Sequence, residues 1–440
     1  MKEFTYASAF AGIGGMSLGL EPLGGKGVIA WEYDPTEKRT QYAQDAHKLL
    51  HPEIPVHGDI CEANTDELPD FDVFCFTPPC QAFSIAGKRG GFEDTRGTLT
   101  FEALRIANAK KPKILFMENV KGLVNHDKGN TMSTIIHAIN DIGYTVDFTI
   151  LNSKYFDVAQ NRERVYLIAI RDDLVKPEPW ADVTGSTMLP KAKRRYQEEG
   201  ARTFNFDWPE QTEVRTRLRD FLEENVDERY YLAEEKTAAL VAQLTESPII
   251  PSILDTRQKS ADTKDGKSGV RVASDVCPTI SASEIKDVKK VIEESPGMLG
   301  HLQMKGHDLL KRVYSTTGQC PTLTTMGGGN TEPKIAEEVR PVLTPDRIEK
   351  RQNGRRFKED GEESFTLTTQ DKHGVALGNY PKYRIRKLTP RECLRLQAVP
   401  EWAIDKLLEN FSNSRAYKFA GNGLTTNVIR AIGERLINYL

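Results

Sequence analysis

Cys80 lies in TPPCQAFS, residues 77–84, where two preceding prolines stiffen the chain and can hold a sulfur out of a packed core. A cysteine placed this way becomes a nucleophile when nearby positive charge or a helix N-terminus favours its thiolate. Glu118, in FMENV at residues 116–120, offers a carboxyl group further along the chain. Beside a nucleophilic cysteine it would serve as a proton donor or hydrogen-bond partner if burial raises its pKa; the alternative is a simple strand-end cap. FAGIGGMSLGLE, residues 10–21, places Gly12, Gly14 and Gly15 where they permit a tight turn and let a ligand approach the backbone. It does not match G-x-G-x-x-G, and such turns are common. Glu32, in WEYD, adds a carboxylate able to accept from ribose hydroxyls, and the two features together suggest an adenosine-containing cofactor.

These residues need a scaffold that brings them to one edge. Short apolar runs predict strands over 4–10, 27–31, 73–76, 114–117, 144–151 and 164–170, with amphipathic helices over 36–50, 98–109 and 131–142 between them. The alternation is that of an α/β domain with a largely parallel sheet, closed by a strand-loop-strand pair expected to be antiparallel. Cys80 then follows the strand over 73–76 and Glu118 ends the strand over 114–117, both at the carboxyl edge where open α/β sheets bind ligands. The polar loop GKRGGFEDTRG, residues 87–97, is suited to closing over a substrate.

From about Arg171 the sequence turns Pro-, Lys-, Glu- and Arg-rich with weak periodicity, which marks a boundary. Beyond it VASDVCPTIS (272–281), VYSTTGQCPTLT (313–324) and FKEDGEESFTLT (357–368) each join a polar turn to an alternating Thr-rich segment, consistent with three related hairpins or with chance recurrence. A length of 440 residues favours two domains over one. The 38% hydrophobic and 28% charged content is that of an ordinary soluble protein, and no apolar run approaches the roughly 20 residues of a membrane helix. A cytoplasmic protein is expected, since the start MKEFTYASAF lacks a secretory layout. Cys61, Cys75, Cys80, Cys277, Cys320 and Cys393 form no C-x-x-C pair, so free thiols and no structural metal are expected. A net charge of -3 and a pI near 6.3 leave any nucleic-acid contact to local clusters. Two stand out, one from Arg347 through Arg355, Arg356 and Lys358, the other from Lys382 through Arg384, Arg386, Lys387, Arg391 and Arg395. On composition alone, such runs are more often solvated faces.

FAGIGG, PPCQAFS, ENV, QNRERVY (160–166), RKLTPRECLRLQ (386–397) and YKFAGNGLTTNVI (417–429) occur in the order found in the cytosine-5 DNA methyltransferases, and they span nearly the whole chain. The sequence therefore resembles that family in its prokaryotic form. The resemblance implies a Rossmann-like S-adenosylmethionine-dependent methyltransferase domain over 1–170, completed by 382–440, and a smaller, mostly-β target-recognition domain over 171–381. It implies S-adenosyl-L-methionine as cofactor, held by Phe10, Gly12, Ile13, Gly15, Glu32, Tyr33, Asp59, Ile60, Pro79, Asn422 and Gly423. Family members often carry Ser where this chain has Gly423, which puts one side-chain contact to the cofactor in question. Cys80 would attack carbon 6 of cytosine, Glu118 would contact ring nitrogen 3, and Arg162 and Arg164 would steady the base and the catalytic loop. Gln81, Ser84, Lys88, Arg89, Arg96, Arg355 and Arg356 are the expected DNA contacts.

The partner implied is duplex DNA, with a restriction endonuclease as a possible functional companion, and a monomer near the nucleoid is expected. Two other readings stay open. A tRNA-directed relative shares the fold and the catalytic motifs, although the long middle region resembles DNA-reading members. A regulatory, non-enzymatic paralogue would typically have lost the cysteine or the glycines, and both are present here.

Overall fold

The computed structural model describes residues 3–79, 99–181, 183–216, 218–231 and 388–440, together with the backbone of short strands between 252 and 387. The chain divides into two compact units: Met1–Glu223, Cys320–Glu332 and Thr389–Leu440 form the first, Glu224–Gln319 and Pro333–Leu388 the second.

The first unit is built on a seven-stranded sheet of β1 (Phe4–Ala9), β2 (Gly25–Trp31), β3 (Val56–His57), β4 (Val73–Phe76), β5 (Ile114–Val120), β6 (Tyr144–Asn152) and β7 (Glu163–Arg171). Their order is β3-β2-β1-β4-β5-β7-β6, parallel except for β7, which runs antiparallel to both neighbours. The expected antiparallel closing pair is thus β6 and β7. Side chains alternate between faces, as the pleat requires: Phe74, Phe76, Leu115 and Met117 enter one core, while Val73, Cys75, Ile114 and Phe116 enter the other. Helices α3 (Leu99–Lys110), α4 (Asn130–Asp141) and α5 (Met188–Glu198) cover the first face. The second is covered by α1 (Gly15–Leu20) and by the helix Thr426–Leu436, which returns from the far end of the chain. Both faces are apolar because both are covered. The close approach of α1 to that returning helix depends on Gly19, where a Cβ would meet Ile429 Cγ2 at 2.6 Å.

Strand β3 was not foreseen, because two residues carry no alternation to read. The helix expected over 36–50 begins only at α2 (Tyr42–Leu50). Asp34 Oδ1 accepts from Thr36 N at 2.9 Å, and the Gln41 amide donates to the carbonyls of Asp34 and Glu37 at 3.0 and 2.7 Å. This side-chain capture of backbone groups competes with helix. The first unit also runs past the expected boundary at Arg171. Residues after it pack on β6, where Phe204 N donates to Val146 O at 3.2 Å, and buried Asp147 accepts from Phe206 N, Trp208 Nε1 and Lys193 Nζ at 3.0, 2.7 and 2.8 Å. The chain re-enters the unit at α6 (Pro390–Arg395), started by a reciprocal capping box between Thr389 and Glu392. Next come α7 (Glu401–Asn410), α8 (Asn413–Asn422) and α9 (Thr426–Leu436), the returning helix.

The second unit consists of strands and one short helical turn among the described residues. β8 (Ser252–Asp255), β9 (Arg271–Ser274) and β10 (Lys290–Val291) form one sheet; β11 (Met298–His301), β12 (Arg312–Ser315), β13 (Lys334–Glu338) and β16 (Tyr383–Lys387) form another; β14 (Val342–Leu343) pairs with β15 (His373–Gly374). The opening residues of two Thr-rich repeats fall on β9 and β12; their continuations and the third repeat lie outside the described residues. Cys61, Cys75 and Cys393 are free thiols, and no described helix is long and apolar enough to cross a membrane.

The Lys193–Asp147 pair holds α5 and the 204–208 segment to the sheet, and both side chains are buried. Replacing Lys193 with Met should destabilise the protein by about 3 kcal/mol, because Asp147 would be left as an unpaired buried charge. Urea unfolding of the two proteins measures this; equal midpoints would show that the pair carries no such weight.

Candidate active site

Four strand ends meet at the carboxyl edge of the first unit's sheet, and hydrogen bonds join them in sequence. After β1 the chain turns through Phe10 and Gly12, both with positive φ (58° and 56°). There Ala11 N donates to Trp31 O at 3.0 Å, and Gly12 N to Glu32 Oε2 at 2.8 Å, which ties the glycine turn to the end of β2. After β4, Thr77 donates from its hydroxyl to Phe10 O at 2.8 Å. From β5, Asn119 Nδ2 donates to Pro78 O at 2.8 Å. Asn119 was not singled out in the sequence, although its place directly after Glu118 in ENV was the available signal. It fixes the backbone two residues before Cys80. Cys80 itself, with Gln81, Ser84, Lys88, Arg89 and Arg96, lies outside the described residues, as do Arg355 and Arg356.

Glu118 sits inside β5 opposite Tyr166 rather than at the strand's last residue, because β5 runs on to Val120. Its side chain is buried, with Arg164 Nε 3.3 Å from Oε1. Burial raises its pKa, against the opposing pull of the Arg164 and Arg162 charges. A carboxyl in this setting retains a proton at pH values where an exposed one would not. Arg162 and Arg164 both act on Glu118, but they donate hydrogen bonds to different carbonyls. Arg162 is buried and donates through Nη2 to Gly423 O at 2.8 Å and through Nη1 to Gly421 O at 3.4 Å, bracing the turn on either side of Asn422. Gln160 Nε2 donates to Leu396 O at 2.7 Å, Gln397 Nε2 to Ala420 O at 2.6 Å, and Thr425 Oγ1 to Gln397 Oε1 at 2.9 Å. These buried bonds lock the motifs at 160–166, 386–397 and 417–429 together.

The residues assigned to a cofactor show a cradle compatible with one. Gly12 has open space where a Cβ would stand, so a ligand can lie against its backbone. The half-buried Glu32 carboxylate is beside it, and Tyr33, Pro79 and Asn422 are exposed. Gly14 has a different reason to be glycine: its φ is +94°, and a Cβ would stand 2.5 Å from the buried His51 ring. Gly15 and Ile13 face inward, Gly15 against Leu424, so their demands are those of packing. Asp59 follows β3 and accepts from Cys61 N at 2.9 Å, capping the turn that begins at the buried Ile60. At Gly423, the departure from the family pattern, the position is partly exposed but a Cβ would meet Phe419 O at 2.8 Å. The second basic cluster is partly neutralised: Arg391 is 2.7 Å from Glu401 and 2.6 Å from Asp405, and Arg395 is 2.7 Å from Glu401. These two arginines hold α7 to α6.

The sequence profile described as C-5 cytosine-specific DNA methylase matches residues 4–438. The orphan methyltransferase M.SPBetaI of Bacillus phage SPbeta is 42% identical over 480 residues, covering 100% of this chain and 98% of its own. M.Rho11sI of Bacillus phage rho11s, also named an orphan methyltransferase, is 40% identical over 502 residues with the same coverage. The type II methyltransferase M.HhaI of Haemophilus parahaemolyticus is 29% identical, covering 99% of this chain and 95% of its own. Among solved structures, the S. pombe Dnmt2 methyltransferase superposes with a TM-score of 0.56 at 17% identity, covering 99% of each chain, a likeness of fold alone.

Because Arg164 is the cation nearest Glu118, replacing it with Met should move the Glu118 titration to higher pH, away from the ordinary carboxylate range. The carboxyl-carbon chemical shift of labelled glutamate, followed against pH, reads this directly. A titration unchanged by the substitution would show that the Arg164 charge does not act on Glu118.

Proposed function

This chain belongs to the C-5 cytosine-specific DNA methylase family, and from that premise we propose that it methylates carbon 5 of a cytosine flipped out of duplex DNA, through a transient bond from Cys80 to carbon 6. The observation that carries the reading is the adjacency of Glu118 and Asn119 on β5. Asn119 holds the Pro78 carbonyl just before Cys80, while Glu118 presents a buried carboxyl of raised pKa at the same edge.

Cytosine carbon 5 is a poor nucleophile, and a duplex hides it in the base stack, so extrusion must come first at a cost of a few kcal/mol. The Cys80 thiolate adds to carbon 6 while Glu118 delivers a proton to nitrogen 3, and electron density moves to carbon 5. When bound, S-adenosyl-L-methionine supplies an electrophilic sulfonium methyl group. Carbon 5 takes the methyl, the sulfonium sulfur leaving as a neutral thioether; nitrogen 3 returns its proton to Glu118, the carbon 5 proton passes to solvent, and the electrons of that C–H bond form the carbon 5–carbon 6 double bond as the carbon 6–sulfur bond breaks and releases the Cys80 thiolate. Glu32 would accept from the ribose hydroxyls, Phe10 and Tyr33 would flank the adenine, and Asn422 would meet the amino-acid end. Arg162 holds the turn that presents Asn422.

We assign the second unit to target recognition, with duplex DNA as partner and the cluster at Arg355 and Arg356 as a source of phosphate contacts. The name orphan methyltransferase carried by both phage relatives favours action without a companion endonuclease.

Cys80→Ser should abolish methyl transfer, and Glu118→Gln should slow it by roughly a hundred- to ten-thousand-fold, since an amide cannot protonate nitrogen 3. Duplex DNA carrying 5-fluorocytosine at a site already shown to be methylated should form a denaturation-resistant adduct only with S-adenosyl-L-methionine present, because fluorine blocks the final elimination. Peptide mapping should place the bond at Cys80; attachment elsewhere, or turnover by Cys80→Ser, overturns the mechanism. DNA affinity should fall steeply with salt, and neutralising Arg355 and Arg356 should flatten that slope. An unchanged slope would put the phosphate contacts elsewhere.

A further inference from the structure

The turn between β2 and α2 is held from outside its own segment. Lys418, on α8, reaches Asp34 Oδ2 at 2.8 Å and Glu37 Oε1 at 2.7 Å. One helical turn earlier, Arg415 also pairs with Glu37 and lies 3.8 Å from the Tyr42 ring centroid. α8 ends at Asn422, and the turn begins two residues after Glu32. One lysine therefore connects the two stretches of chain, nearly 400 residues apart, that the proposed cofactor site draws on.

Its charge has a second consequence. Burial pushes the Glu32 pKa up, and the negative charges of Asp34 and Glu37 push it further; the Gly12 N–H and the Lys418 ammonium pull it down. From β3 the His57 carbonyl accepts from Glu32 N at 3.0 Å. The proposed task of Glu32 is to accept from ribose hydroxyls, which an ionised carboxylate does and a protonated one does less well. Burial and two acidic neighbours work against that state; the Gly12 N–H opposes them, Arg415 pairs with Glu37, and Lys418, paired with both acids, adds its own charge in favour of the carboxylate. Asp34, which Lys418 and Thr36 keep ionised with a pKa of about 2, stays negative throughout the accessible range.

We infer that Lys418 is a positioning residue of the cofactor site, holding the 34–37 turn against α8 and keeping Glu32 charged for its ribose contact. This rests on the reading of Glu32 as the ribose-binding carboxylate. Direct binding of S-adenosyl-L-methionine to the full chain, by calorimetry across the pH range over which the protein stays folded, tests it without any turnover. Affinity should fall as pH drops through the Glu32 pKa. Lys418→Met should move that fall to higher pH, weakening binding by about tenfold well below the midpoint for each unit of displacement, with convergence on the wild type at high pH. Lys418→Arg should restore the wild-type profile. Glu37→Gln should move the fall the opposite way, which keeps the test open if Lys418→Met does not fold. A Lys418→Met protein that folds and binds with the wild-type profile, or one whose melting temperature alone changes, overturns the inference. So does a Glu37→Gln profile that fails to move down. Wild-type protein with no affinity for the cofactor at any pH would overturn the cofactor reading and this inference with it.

Discussion

The ends of four parallel strands must be held in register, and three side-chain hydrogen bonds do this. Gly12 to Glu32, Thr77 to Phe10 and Asn119 to Pro78 join β2, β1, β4 and β5 across the carboxyl edge. Each links groups from different connections, so no single loop can shift without breaking a bond to its neighbour. An edge tied in this way presents functional groups with little conformational freedom left to lose on binding, which is how rigid elements raise the effective concentration of reacting groups. The proline pair before Cys80 adds to this by restricting the backbone from within.

The same edge is completed by the end of the chain. α9 packs on α1 through Gly19, and the turn at Asn422 is braced by Arg162 from the segment before β7. Buried polar side chains do the joining, and each of these bonds has both partners satisfied. Gln160, Gln397 and Thr425 make no obvious chemical contribution, yet they fix the distance between one end of the chain and the other. Buried polar networks of this sort favour one arrangement over its neighbours, because every alternative leaves a desolvated donor or acceptor unpaired.

Electrostatics at the edge is arranged in two different ways. Glu118 is enclosed, with arginine near it, so that burial dominates and the carboxyl is drawn toward its protonated form. Glu32 lies at a half-buried position among acidic neighbours and is drawn the same way, but a backbone N–H and a lysine oppose the shift. Both carboxyl groups are thus drawn toward their protonated forms by burial, Glu118 against two arginine charges and Glu32 against a backbone N–H and a lysine.

Strand positions, the antiparallel closure and the presence of a second, strand-rich unit were legible in the residue pattern, and so was the placement of the glycine turn, Glu32 and Glu118 at one sheet edge. The apolar runs and their period of two are local properties, and the motifs are contiguous. What tertiary structure alone decided is every relation between distant positions. Asn119 emerged as the anchor for Pro78, Arg162 proved to brace a turn some 260 residues away, and Arg391 and Arg395 proved to face carboxylates on α7. The helix expected from Thr36 gave way to a turn because Asp34 and Gln41 bind the backbone there and Lys418 holds the result from another helix. A charge or an amide in a sequence declares that it needs a partner; which partner it finds depends on how the chain is packed.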